Sequence, residues 1–151
     1  MKRGFTLIEL VLVLGVMTIV TAGIFIATRE NNNRVLYDAL VVLQADLRYI
    51  QRRSMMEGHP HDIMFDRQYN RYNVRRAGSG IGDVRLIRTV YLPNGITFHH
   101  VSAQGSRVSF TARGTISGSF TVTLTNGRYR QELTGTLGAG SININPEPER
   151  Q

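Results

Sequence analysis

Few groups in this chain have the types and spacing that chemistry needs. Between Phe5 and Thr28 a single carboxylate, Glu9, interrupts an otherwise uncharged run. An ionised side chain at membrane depth costs about 2.5–3.5 kcal/mol on insertion scales, so a carboxylate kept there calls for a positive partner. The four histidines are less suggestive. His59 and His61 flank Pro60 in a turn sequence, and His99 and His100 alternate to opposite faces of a strand. With no cysteine and no acidic cluster at ligand spacing, they read as surface residues and no metal site is expected. Gly78-Ser79-Gly80-Ile81-Gly82 lacks the G-x-G-x-x-G spacing of a phosphate loop and opens no helix, so it reads as a loop between strands. No serine sits in a G-x-S-x-G elbow. The expectation is a protein without catalytic residues or cofactor, not an enzyme.

Composition bounds the remaining readings. The 151 residues suit one compact domain with an appended segment. The formal net charge is +7, and 17 of the 18 basic residues are arginine, whose planar fork pairs well with phosphate and carboxylate. That excess permits anionic partners without choosing among nucleic acid, lipid head groups and acidic protein. The absence of cysteine excludes disulfides and thiolate chemistry.

The elements that must position these groups follow from periodicity. Met1-Lys2-Arg3-Gly4 is short and basic, and the apolar run 5–28 comes next. As a helix that run would reach roughly 36 Å, against a hydrocarbon core of about 30 Å. The preceding basic residues predict a cytoplasmic N-terminus. A secretory signal peptide cut after Val20-Thr21-Ala22 is an alternative, but the apolar run continues past it and contains Glu9. A plain single-span anchor accounts for the length and leaves the carboxylate unexplained. Farther on, Leu36, Leu40, Leu43, Leu47 and Ile50 recur at steps of four and three, the stripe of an amphipathic helix over 34–56. Asp38, Asp46, Arg48, Arg52 and Arg53 are assigned to its other face. Gly58 and Pro60 stop it. Downstream the texture is that of short strands: 63–65 and 69–74 as a hairpin, 84–92 with 96–101 continuing it, 107–112, 119–125, 128–134 and 141–144. Asn126-Gly127 reads as a two-residue turn, and Phe120, Val122 and Leu124 alternate with threonines as in a sheet with one wet face. Residues 146–151 read as a disordered polar tail.

The ordered string Gly4-Phe5-Thr6-Leu7-Ile8-Glu9-Leu10 resembles the processing site of type IV prepilins and type II secretion pseudopilins. That resemblance implies cleavage between Gly4 and Phe5 by a prepilin peptidase, N-methylation of Phe5, and Glu9 as the fifth residue of the mature chain. Cleavage frees an α-amino group, and a carboxylate on a neighbouring subunit can pair with it where low dielectric strengthens the attraction. Phe65-Asp66 followed by Tyr72-Asn73-Val74, then Leu92-Pro93-Asn94-Gly95-Ile96 and Phe110-Thr111-Ala112-Arg113-Gly114, more narrowly resemble the minor pseudopilins of the H-subunit (GspH) and FimT class. The implied architecture is α+β and pilin-like, with a long N-terminal helix packed on an antiparallel β-sheet domain. Its parts would be a leader at 1–4, a transmembrane half-helix at 5–28, an amphipathic half at 29–57, the sheet domain at 58–145 and the tail at 146–151. The implied protein is a minor pilin or pseudopilin with a single pass of the cytoplasmic membrane and its C-terminal domain outside. Its partners would be other pilin or pseudopilin subunits, the peptidase and the membrane.

DNA-uptake minor pilins of the FimT type carry a Gly-Arg-x-Arg motif near the C-terminus, and Gly127-Arg128-Tyr129-Arg130 is similar to it. On a strand, Arg128 and Arg130 would share one face and meet phosphates, which implies DNA as a further partner. The family's motif begins the last strand, however, and there this chain has Gly138-Ala139-Gly140-Ser141-Ile142-Asn143-Ile144. A structural filament subunit and a DNA-binding pilin are thus both open.

Overall fold

The computed structural model describes residues 7–77, 84–137, 140–145 and 148–150, and the side chains of 22–32 fall outside that description. The chain forms two units, Met1–Arg34 and Val35–Gln151. One helix, α1, covers Leu7–Glu57. It stops at Gly58, whose φ of +65° is the left-handed cap that glycine adopts without a Cβ clash.

Among the described residues the buried ones all lie in the second unit, from Leu36 to Ile142. The stripe Leu36, Leu40, Leu43, Leu47 and Ile50 is at most 1% exposed, as the three-four spacing requires of a helix covering a sheet. Each such side chain contributes roughly 1.5–3 kcal/mol on burial. The strands are β1 (His61–Asp66), β2 (Arg71–Ala77), β3 (Val84–Tyr91), β4 (Thr97–Ser102), β5 (Arg107–Phe110), β6 (Phe120–Thr125), β7 (Tyr129–Gly135), β8 (Ile142–Ile144) and β9 (Glu149–Arg150).

These strands divide between two antiparallel sheets, in the orders β3-β2-β1-β5 and β4-β6-β7-β8, with β9 also on β7. The segment 96–101, expected to continue β3, instead crosses to the second sheet as β4. Pro93 lacks an N–H for a ladder and Gly95 turns at φ +83°, so the chain leaves the first sheet there. Ile63, Phe65, Tyr72, Val74, Val108 and Phe110 from the first sheet, and Phe98, Val122, Leu124, Leu133 and Ile142 from the second, join the helix stripe in one core. Gln44 Nε2 donates to Ile142 O at 2.8 Å and Gln51 Nε2 to Gly114 O at 2.9 Å, fastening the helix to β8 and to the β5–β6 connection.

Two expectations change here. Glu149–Arg150, within the segment read as a disordered tail, pairs with β7 at Arg130 and Tyr129. His61, read as a surface histidine, is fully buried. Its Nδ1 lies 3.0 Å from His59 O and 3.3 Å from Ser54 Oγ, while its Nε2 is 3.5 Å from Glu57 Oε2 without hydrogen-bond geometry. The glycine-rich loop Gly78–Gly82 and the leader 1–4 lie outside the described residues.

Candidate assembly site

Within the first unit, Glu9 occupies the first turn of α1. A carboxylate there is favoured by the helix dipole, worth about 0.3–1 kcal/mol, whatever else it does. Around it the helix presents apolar side chains on every side: the large hydrophobics from Leu7 to Val20 are 48–81% exposed. A helix apolar all round is not a stable surface element in water and calls for a surrounding apolar phase or neighbouring helices.

The polar side chains of this stretch divide into two kinds. Thr18 Oγ1 donates to Gly15 O at 2.7 Å, and Thr21 Oγ1 to Met17 O at 2.9 Å, so both hydroxyls are satisfied within their own helix. Glu9 differs from them: it is charged, and it has no partner among the described residues. Gly15 leaves open space on the helix surface, where a second backbone can approach closely. The implied processing residues Gly4 and Phe5 lie outside the described residues. Among the described residues no helix is long and apolar enough to cross a membrane, and the expected span 5–28 includes side chains outside the description.

The arginine pair is arranged differently from the sequence reading. Asn126 N donates to Tyr129 O at 3.2 Å, so the two-residue loop is Gly127-Arg128, not Asn126-Gly127. Gly127, at φ +84°, takes the first central position, and Asn126 Oδ1 accepts from Arg128 N at 3.0 Å and Tyr129 N at 2.8 Å. Arg128 therefore lies in the turn, exposed, and does not share a strand face with Arg130. Arg130 stands on β7 directly opposite Glu149 of β9, an opposite-charge cross-strand pair.

Sequence reasoning missed three charged clusters of the second unit. Asp46, assigned to the solvent face, is 5% exposed; its Oδ2 accepts from Tyr72 Oη at 2.7 Å and its Oδ1 from Arg88 Nη2. Position 46 is three after Leu43 and four before Ile50, a border position that spacing alone could have flagged. Burial, and then the hydrogen bond to Asp46, push the Tyr72 hydroxyl well above its ordinary titration range. Asp62, 1% exposed, takes a fork from Arg75 at 2.8 and 3.1 Å, with Arg107 at 3.7 Å. Glu57 gathers Arg53, Arg76 and the His61 ring, and the Arg53 hydrogen bond leads in holding its carboxyl below the usual range. These clusters tie helix to strand and strand to strand. The two buried carboxylates, Asp46 and Asp62, are each paired with a guanidinium.

Residues 1–25 match the prokaryotic N-terminal methylation motif. No curated protein matches the chain in sequence. In fold it is similar to the type IV minor pilin FimU of Pseudomonas aeruginosa, with a TM-score of 0.62, 18% identity, and coverage of 78% of this chain and 94% of that one. It is similar also to the minor pseudopilin EpsH of the type 2 secretion system of Vibrio cholerae, with a TM-score of 0.58, 12% identity, and coverage of 72% and 94%. At these identities the likeness is one of fold: a helix packed on antiparallel sheets. The chain thus carries the methylation motif at residues 1–25 and shares the fold of these minor pilin and pseudopilin structures over most of its length.

Proposed function

We propose that this chain is a minor pilin or pseudopilin, a membrane-anchored, non-enzymatic subunit assembled into a type IV filament through its N-terminal helix. The observation that carries the reading is Glu9: one carboxylate in an apolar stretch of helix with no partner among the described residues, where Thr18 and Thr21 bond their own backbone. A prepilin peptidase cuts after Gly4 and Phe5 becomes the methylated N-terminus. The freed amine of one subunit pairs with Glu9 of its neighbour, so the costly charge in the lone chain becomes a register device in the filament. The second unit, with its own core, then faces outward from the cytoplasmic membrane.

Mass spectrometry of the native protein tests the first step: the expected chain starts at N-methylated Phe5, and an intact Met1 or a start at Gly23 would refute it. Glu9→Val tests the second. The variant inserts in the membrane normally and fails to enter filaments; unchanged entry would assign register to helix packing alone.

A reading as a DNA-uptake pilin draws support from Arg128, exposed at the tip of its turn. Arg130 supports it less, because a phosphate approaching that side chain also meets Glu149. Assembly therefore stands first.

A further inference from the structure

Several turns of the second unit converge on the end where the chain enters it. Val35 and Asp38 line one groove with Tyr91, Leu92 and Pro93. Leu92 N donates to Asn70 O at 2.8 Å, and Asn70 Nδ2 reaches Ile96 O at 3.4 Å. Thr97 is in register with Thr125, beside the Gly127-Arg128 turn, and Arg150 is in register with Tyr129. The first turn after Val35, the β1–β2 turn, the β3–β4 connection, the β6–β7 turn and β9 therefore share one end.

That end carries Arg67, Arg128 and Arg150, all exposed. It also carries Tyr37, Tyr69 and Tyr91, three of the four exposed tyrosines among the described residues, at 47%, 59% and 64%. Among the described carboxylates of this end, Asp66 is engaged by Arg71 at 3.0 Å, Glu149 stands in register with Arg130, and Asp38 is exposed. Arginine alone suits any polyanion. Exposed tyrosines at the same end are different: such rings are enriched where water meets apolar phase, with an apolar body and a wet hydroxyl. Nor does Tyr69 offer a clean stacking platform for a base, since Arg71 sits 4.8 Å over its ring.

We propose that this end of the domain is a membrane-facing surface that rests on anionic lipid head groups, with Arg67, Arg128 and Arg150 on phosphates and Tyr37, Tyr69 and Tyr91 at head-group level. The inference rests on the reading that the segment before Val35 anchors the chain in a bilayer, because only then does the entry end meet lipid. Before extraction into a filament, the contact holds the domain in one orientation and presents the rest of its surface to partner subunits.

The test uses the full chain in vesicles. The sequence has no cysteine, so Gln68→Cys at the proposed surface and Ser117→Cys on the β5–β6 connection each give one labelled site. With a quencher on the lipid head groups, the dye at position 68 is expected to be quenched strongly in vesicles containing anionic lipid, and weakly in zwitterionic ones. The dye at 117 should barely respond in either. At roughly fivefold per arginine, Arg67→Gln, Arg128→Gln and Arg150→Gln together lower the ratio of docked to undocked chains by on the order of a hundredfold. Equal quenching at both sites, or quenching indifferent to anionic lipid, in chains that still float with the vesicles, overturns the proposal alone. Chains that do not float overturn the anchor reading and the proposal with it. A triple variant that loses duplex DNA binding but keeps its quenching assigns the arginines to nucleic acid, which also overturns it.

Discussion

Removing one oxygen, in Tyr72→Phe, tests how the helix is pinned to the first sheet. The Tyr72 ring is 1% exposed and keeps its packing in the variant, while Asp46, 5% exposed, loses the hydroxyl at 2.7 Å and retains Arg88. A hydrogen bond to a charged group contributes about 1.5–3 kcal/mol, and a buried acceptor left short of a partner keeps the loss near the upper part of that range. With an m-value of about 2 kcal/mol/M in urea, the midpoint should fall by roughly 1 M at unchanged slope. Equilibrium unfolding of a chain starting at residue 29 measures this, since the buried residues among those described all lie beyond it. A pH arm makes the assignment specific. Burial and Asp46 raise the Tyr72 pKa, so above the unfolded tyrosine value of about 10 the unfolded chain loses a proton that the native chain retains. The Tyr72 contribution is therefore complete below pH 10 and declines above it by about 1.4 kcal/mol per unit. Tyr72→Phe should lack that alkaline slope. A midpoint within 0.2 M of the parent, or an unchanged alkaline slope, would show that Asp46 is held by Arg88 and water, and the pin would have to be assigned elsewhere.

Three further perturbations follow from the geometry. In Gly135→Ala the new Cβ would stand 2.2 Å from the Phe120 ring, so an overpacking cost of about 1–3 kcal/mol is expected, while Gly118→Ala, with nothing within 4 Å, should unfold like the parent. Asp62→Asn leaves Arg75 on the first sheet without its carboxylate and should cost on the order of 3 kcal/mol by urea unfolding; replacing Arg75 as well should recover part of that, and simple additivity would deny the pair any coupling. If the soluble fragment binds duplex DNA through the turn, Arg128→Gln should flatten the slope of log affinity against log salt by roughly 0.7–0.9, and Arg130→Gln, facing Glu149, by less. An exposed control, Arg85→Gln, that flattens the slope equally would reduce the binding to general basicity.

What the sequence revealed and what it hid have a common physical explanation. The stripe from Leu36 to Ile50 was legible because one helix face meets one core, and a period of 3.6 is a local property. The strands were legible for the same reason, through alternation and turn residues. The allocation of strands to two sheets was not, because pairing partners such as β1 with β5 or β4 with β6 are separated by long stretches of chain. Border positions were equally opaque: Asp46 turns inward only because Tyr72 and Arg88, on other strands, are there to receive it. His61 is buried because β1 begins directly under the last turns of α1, beside Ser54 and Glu57. The turn at Gly127-Arg128 slipped by one residue since Asn126 prefers to accept two backbone N–H groups, leaving the positive φ to the glycine.

The same comparison bears on Glu9. Asp46 and Asp62, the two buried carboxylates among the described residues of the second unit, each have a guanidinium from within the chain, and Asp46 a hydroxyl besides. On the apolar N-terminal helix, Thr18 and Thr21 return their hydroxyls to their own backbone, and Glu9 has no partner among the described residues. A chain with 17 arginines does not lack cations to place beside it. A carboxylate on that apolar surface fits the proposed assembly, in which the countercharge is the N-terminal amine of a neighbouring copy.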